Sequence, residues 1–172
     1  MGLYTYCPRC GAHLMSNNSA YVCNKCDLSL YENPKAAVAV IFFDEFGKMI
    51  VGKRAFEPEK GKFDCVGGFL DKGETFEEAA IREISEEVGL RRNSYNELRY
   101  VGSVHNLYEW KGEQIPVASV YFATTLKRGV SLSPADDIKS IHSFEKGSIP
   151  DDAQCAWTGM QDMLKRAIQM LD

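Results

Sequence analysis

Apolar positions along the chain follow two rhythms, and each predicts a different kind of element. Ala36–Phe43 is an unbroken run of small, β-branched and aromatic residues, followed by Asp44-Glu45-Phe46-Gly47 and then Lys48–Lys53. The three pieces read as strand, turn and strand, forming a hairpin. Phe63–Val66 reads as a short strand that ends at Gly67 and Gly68. Thr75–Val88 carries helical spacing, with Gly89 as its stop. Alternation then predicts strands over Leu98–Val104, Val117–Thr125 and Ile138–Phe144. Helical spacing returns from Asp152 to Met170, where Ala156, Met160, Met163, Leu164, Ile168 and Leu171 make the apolar stripe. Strands mixed with two separated helices define an α/β or α+β class.

The character of the chain changes at Pro34. Before it, residues 1–32 show little periodicity beyond Tyr4, Tyr6, Leu14, Tyr21 and Val22. Tyr31-Glu32-Asn33-Pro34 reads as a hinge, because proline keeps the preceding residue out of the helical region. What the first segment offers instead is cysteine. Cys7 and Cys10 form one Cys-x-x-Cys turn, and Cys23 and Cys26 form another. Four thiolates at this spacing suit a tetrahedral Zn²⁺, each turn supplying two sulfurs. Gly11 follows Cys10, where such a turn calls for a residue tolerant of positive φ. Two disulfides or a redox dithiol are the alternatives. A segment below ~40 residues needs a staple, and one metal accounts for both motifs. The expected organisation is a zinc ribbon over 1–32 and a second domain over 35–172. Cys65 and Cys155 stand alone and read as packing residues.

Composition narrows the class. Hydrophobic residues make up 45% and charged residues 26% of the 172, too apolar for a disordered chain. With 20 basic against 24 acidic side chains the net charge is −4, which argues against a broad nucleic-acid surface. No apolar run approaches the ~20 residues that span a bilayer, so no membrane partner is expected. The N-terminus shows no basic segment leading into an apolar stretch, and the expected compartment is the cytoplasm, where disulfides are rare.

The first helix concentrates the chemistry. Thr75 and Glu78 form a capping-box signature. Helical spacing places Ala80, Ile81, Ile84 and Val88 toward a sheet and Glu83, Glu86 and Glu87 on the adjoining side. Arg82 can pair with Glu86, but one arginine cannot offset three carboxylates. Either the face is simply solvated, or a hard divalent cation such as Mg²⁺ gathers the oxygens. The Gly-Gly turn and the acidic loop residues Asp71 and Glu74 beside this helix favour the cation.

Gly68, Glu74, Arg82-Glu83-Ile84-Ser85-Glu86-Glu87-Val88-Gly89-Leu90 match the Nudix box at every defined position. Lys35–Asp172 resembles a whole Nudix domain, and a four-cysteine ribbon ahead of it resembles the NADH pyrophosphatases. The resemblance implies the Nudix sandwich, a mixed sheet between helices, preceded here by a small zinc ribbon. It also implies Mg²⁺- or Mn²⁺-dependent hydrolysis of a nucleoside diphosphate linked to another moiety. Carried over, Glu83 and Glu87 are the main metal ligands, Glu86 a further ligand or base, and the Gly67 carbonyl completes the set. Glu74 holds Arg82, whose guanidinium orients the glutamates. A further acidic residue on a later loop corresponds to Asp137, or Asp136, or to a plain acidic turn after Pro134.

Substrate choice rests on other segments. Lys53 and Arg54 end the second strand, where they could meet phosphates, and Arg54 is taken as substrate-binding. Tyr108 and Trp110 could stack on a base or serve as ordinary strand aromatics. The stretch Tyr100–Trp110 lacks the Ser-Gln-Pro-Trp-Pro-Phe-Pro-x-Ser motif of NADH pyrophosphatases, which shifts the expectation to ADP-ribose or a dinucleotide. The expected partner is this small molecule, not nucleic acid, with a homodimer as an assembly the ribbon could brace. The alternative function is a ribbon that binds RNA or protein beside a nucleotide-sensing Nudix domain.

Overall fold

A computed structural model describes residues 4–17 and 20–171. The chain divides into two compact units, Met1–Pro34 and Lys35–Asp172. The first contains three short strands, β1 (Met15–Asn17), β2 (Ala20–Val22) and β3 (Ser29–Tyr31), in one antiparallel sheet of order β1-β2-β3. Strands this short carry no readable alternation, so the sequence alone did not predict them. Cys7, Leu14, Tyr21 and Cys23 form the buried centre of this unit. The two cysteine turns are built alike. Gly11 N–H donates to Cys7 O and Asp27 N–H to Cys23 O, both at 2.9 Å. Gly11 and Asp27 hold φ of 72° and 56°, so the residue after each second cysteine turns left-handed.

The second unit holds β4 (Lys35–Phe43), β5 (Met49–Arg54), β6 (Phe63–Asp64), β7 (Val66–Phe69) and α1 (Phe76–Val88). They are followed by β8 (Arg99–Trp110), β9 (Glu113–Thr125), β10 (Ile138–Phe144) and α2 (Met160–Gln169). The seven strands form one mixed sheet of order β10-β5-β4-β9-β8, with β6 added to β5 and β7 to β4. Only β4 and β9 pair in parallel. The continuous apolar run in β4 reflects burial on both faces. Val38, Val40 and Phe42 pack with Ala79, Ala80, Ile84 and Val88 of α1. Ala39, Ile41 and Phe43 pack with Met160, Met163, Leu164 and Ala167 of α2. The unit is a mixed sheet between two helices, the layering that the resemblance implied. Among the described residues no helix is long and apolar enough to cross a membrane.

Four expectations need correction. Phe63–Val66 is not one strand: β6 pairs with β5 and β7 with β4, so the chain steps across the sheet at Cys65. The strand expected to end at Val104 runs on to Trp110 and pairs along a long hairpin with β9. Lys111 and Gly112, at φ 51° and 82°, turn that hairpin. The last helix begins at Met160, not Asp152. Ala156 N–H donates to Phe63 O at 2.8 Å, which holds this segment against the sheet, and Gly159 at φ 78° precedes the helix. Ile81 is 38% exposed, and Ala79 takes its place on the buried face of α1.

Candidate active site

The cap of α1 sets which side chains reach the sheet. Thr75 Oγ1 accepts from Glu78 N–H at 3.2 Å, Glu78 Oε2 accepts from Thr75 N–H at 2.8 Å, and Gly89 closes the helix at φ 65°. The helix lies against β7, where Gly67 faces Ala39 and Gly68 faces Val38 of β4. A Cβ on Gly67 would sit 2.0 Å from the Val38 carbonyl oxygen, and one on Gly68 would sit 2.4 Å from Glu83 Oε1. Each glycine is therefore required by a close approach, one of backbone and one of a glutamate.

Glu83 and Glu87 are buried, at 9% and 5% exposure, while Glu86 reaches solvent. Gly67 N–H donates to Glu87 Oε2 at 2.9 Å. Burial pushes the Glu87 carboxyl up to about 8, and the neighbouring charges of Glu83, Asp64 and Asp137 act in the same direction. Burial also raises Glu83, against the pull of Arg82. A carboxyl held as far from its ordinary range as Glu87, beside a second one also raised, suits a site that expects a cation.

Arg82 is the clasp of the cluster. Its Nε and Nη2 donate to Glu74 Oε1 and Oε2 at 2.8 and 3.0 Å, a two-point pairing. Nη1 donates to Glu83 Oε1 at 2.7 Å and to Glu86 Oε2 at 3.0 Å, and Nη2 also reaches Phe69 O at 3.0 Å. The hydrogen bonds from Arg82 hold Glu74 below the usual carboxylate range. One guanidinium thus ties the loop, β7 and two site glutamates together.

A cavity of about 360 Å³ brings together Gly67, Glu83, Glu86, Glu87, Asp136 and Asp137 with Arg54 and Tyr108. Small residues of β4 and β9, Ala37, Ala39 and Ser119, leave this space open on the sheet. Arg82 and Glu74 do not line it; they act on it through Glu83 and Glu86. Asp137 acts on Glu87 through its charge. Arg54 is held from three sides: Nε donates to Pro58 O at 2.7 Å, Nη1 donates to Asp64 Oδ2 at 2.8 Å, and the guanidinium lies 5.0 Å from the Trp157 ring centre. Trp157 Nε1 donates to the same Asp64 oxygen at 2.9 Å. Asp64, Asn106 and Trp157 line this cavity and were not singled out from sequence. Asp64 carried a faint signal, an acid inside an apolar strand beside Gly67. Trp157 carried none, since it arrives from the far end of the chain.

Trp110 does not line this cavity. Its ring stacks on Tyr108 at 6.5 Å and faces an outer cleft of about 1010 Å³ instead. Lys53 points its ammonium to the Phe63 ring, 4.8 Å from the centre.

Cys7, Cys10, Cys23 and Cys26 place their four sulfurs within 4.8 Å of one another, and none is in a disulfide. Cys7 and Cys26 lie 3.6 Å apart and Cys10 and Cys23 3.5 Å apart. Sulfurs at ~2.3 Å from a tetrahedral zinc lie ~3.8 Å from each other, so the donor set fits that ion.

The NUDIX domain model matches residues 33–163. The chain belongs to the Nudix family and is a hydrolase of that family. The ADP-ribose pyrophosphatase of Methanocaldococcus jannaschii is 35% identical over 124 residues, covering 70% of this chain and 68% of that protein. The NAD-capped RNA hydrolase NudC of Haemophilus influenzae is 32% identical over 105 residues, covering 58% of this chain but only 38% of its own length. Among solved structures, a NUDIX hydrolase from Nitrosomonas europaea superposes at a TM-score of 0.72 with 26% identity, covering 96% of this chain and 91% of that one.

Proposed function

We propose that the chain hydrolyses the pyrophosphate of a small nucleoside diphosphate derivative of the ADP-ribose kind. One observation carries the reading: three helix glutamates, the Gly67 backbone and Asp137 border a single cavity that also presents Arg54. The similarity to an ADP-ribose pyrophosphatase over most of both chains supports this substrate class. The complete set of carboxylates favours an enzyme over a nucleotide sensor.

Glu83, Glu87 and the Gly67 carbonyl are the groups that would hold Mg²⁺ or Mn²⁺, with Glu86 as a further ligand. The crowding of Glu83, Glu87 and Asp137, with Arg54 already matched by Asp64, is what such a cation would relieve. When bound, a divalent ion polarises phosphoryl oxygens and makes water a better nucleophile. The protein's own groups do the rest. Arg82 fixes Glu83 and Glu86, so the carboxylates are placed before substrate arrives. The free side of Arg54 meets a phosphate. A water attacks one phosphorus, its proton passes to Glu86 or Asp137, and the bridging P–O bond breaks to leave the second phosphate. For ADP-ribose the products are AMP and ribose 5-phosphate. In this proposal the four cysteines hold a structural Zn²⁺.

A panel of ADP-ribose, NADH, dinucleoside polyphosphates and nucleoside diphosphate sugars, ranked by kcat/KM with Mg²⁺ or Mn²⁺, tests the reading. ADP-ribose should rank above NADH, because Tyr100–Trp110 lies within the single strand β8 and lacks the proline-rich motif. NADH at the head of the ranking, or no turnover of any member, would overturn it.

A further inference from the structure

The catalytic cavity and the outer cleft share two lining residues among those described, Asn106 and Trp157. Asn106 sits on β8 opposite Val117, with Val104 and Tyr108 as its neighbours on the same face. It is 8% exposed, its Oδ1 is buried, and no donor among the described residues reaches that oxygen. A buried amide oxygen without a partner is rare in folded proteins and calls for an explanation. Folding does not provide one here. Its neighbours on that face, Val104, Tyr108 and the facing Val117, are apolar or aromatic, and a leucine of similar size would leave no buried oxygen unpaired there.

The surroundings suggest a ligand that is flat and polar at one edge. Tyr108 is the centre of an aromatic cluster, 5.5 Å from Phe69, 5.6 Å from Trp157 and 6.5 Å from Trp110 between ring centres. Phe69 and Trp110 are 43% and 49% exposed. The cluster offers apolar surface to a heteroaromatic ring, and the one uncharged polar side chain shared by both cavities is a carboxamide. A carboxamide sets an acceptor beside a donor. That pair matches the N6 amino group and N7 of adenine, whereas hypoxanthine presents two acceptors at the same edge. The pairing requires the terminal amide, whose torsion is soft, to turn its oxygen and nitrogen into the cavity that Asn106 lines.

We propose that Asn106 is the specificity-determining residue for the base, reading the amino edge of an adenine packed against the Tyr108 cluster. The assignment deepens the ADP-ribose reading and rests on it for the chemistry next door, but it is testable without turnover. Binding of AMP and IMP, neither of which carries a pyrophosphate to hydrolyse, to the zinc-loaded full chain without added Mg²⁺ or Mn²⁺, measured by calorimetry, is the direct comparison. The wild type should bind AMP at least ~10-fold more tightly than IMP, the discrimination one bidentate pair supplies. Asn106→Leu should weaken AMP ~10-fold, leave IMP unchanged, and keep or raise the melting temperature, whereas a merely structural asparagine would lower it. Asn106→Ala carries the same comparison should the leucine variant fail to fold. Equal affinities in the wild type, or an unchanged AMP to IMP ratio in a folded variant, would overturn the assignment. Adenine discrimination through Asn106 in a chain that hydrolyses nothing on the panel would overturn the proposed activity and leave this site standing.

Discussion

The backbone N–H of Gly67 donates to Glu87 Oε2 at 2.9 Å, so a strand of the sheet directly grips a carboxyl that burial has pushed up to about 8. The contact survives conversion of that carboxyl to an amide, because an amide oxygen can accept the same bond. Glu87→Gln should therefore keep the fold while removing charge from the proposed cation site. The expected loss in turnover is on the order of 10²-fold or more, a few kcal/mol of transition-state stabilisation. Glu77→Gln is the control, exposed on the same helix and outside the cavity. Wild-type kcat/KM for Glu87→Gln at limiting Mg²⁺ would reduce the helix to an acidic surface.

The same carboxyl predicts how stability depends on pH. Its folded value, about 8, lies above the 4.5 of an unfolded glutamate. The folded chain thus binds more protons between those limits, and its stability falls as pH rises through them. The contribution is fully present below 4.5 and lost above about 8. Glu83 moves in the same direction, while Glu74, held low by Arg82, acts only at more acidic pH. In EDTA the melting temperature should drop from pH 5 to pH 8, with a slope of at most ~1.4 kcal/mol per unit for this group. Glu87→Gln should flatten the drop, and Mg²⁺ should restore the wild type at the alkaline end. A flat wild-type profile in EDTA would refute the account.

The sequence made much of this site legible because its parts lie close together in the chain. Helical spacing gathers Glu83, Glu86 and Glu87, and the capping pair Thr75 and Glu78 marks where the helix begins. The strands of the central sheet were readable where burial on both faces left a solid apolar run, as in β4. What escaped was set by long-range contacts. Cys65 looked like the middle of one strand, yet the residues on either side of it pair with different partners. Residues 152–159 looked like the start of one long helix, but only Asp152–Gln154 makes a short 3-10 turn, and the Ala156 N–H is taken by Phe63 O. Trp157 and Asp64 meet at 2.9 Å only after the whole sheet has formed, and no local pattern announces that.

The adjacent glycines of β7 should fail in different ways when replaced by alanine. At Gly67 the new Cβ would lie 2.0 Å from the Val38 carbonyl oxygen and 2.9 Å from Ala39 Cα, and backbone cannot yield. At Gly68 it would lie 2.4 Å from Glu83 Oε1, the end of a side chain that can swing aside. Gly67→Ala should lower stability by several kcal/mol, as overpacked and strained sites do. Gly68→Ala should keep the melting temperature near wild type but displace Glu83, reducing Mg²⁺ affinity and turnover ~10-fold or more. Thermal melts with metal titrations separate the two. Equal destabilisation by both would mean that Glu83 is not free to move.

The cysteine cluster predicts a second metal with different behaviour. Sulfurs 3.5 and 3.6 Å apart already stand near the spacing of a tetrahedral zinc site. Zinc bound by four thiolates is held through gel filtration, whereas Mg²⁺ on carboxylates and waters exchanges freely. Elemental analysis of purified protein should find about one zinc per chain, and absorption spectroscopy should place four sulfurs at ~2.3 Å. Metal binding in so small a unit is also folding free energy. Replacing Cys7 and Cys10 by serine should therefore abolish zinc retention and expose the amides of β1, β2 and β3 to exchange. Hydrolysis should decline later than that exchange, since the carboxylate site is built from residues of the other unit. Zinc-free protein with protected amides in those strands, or disulfides linking the four cysteines, would show that the cluster is not a metal site.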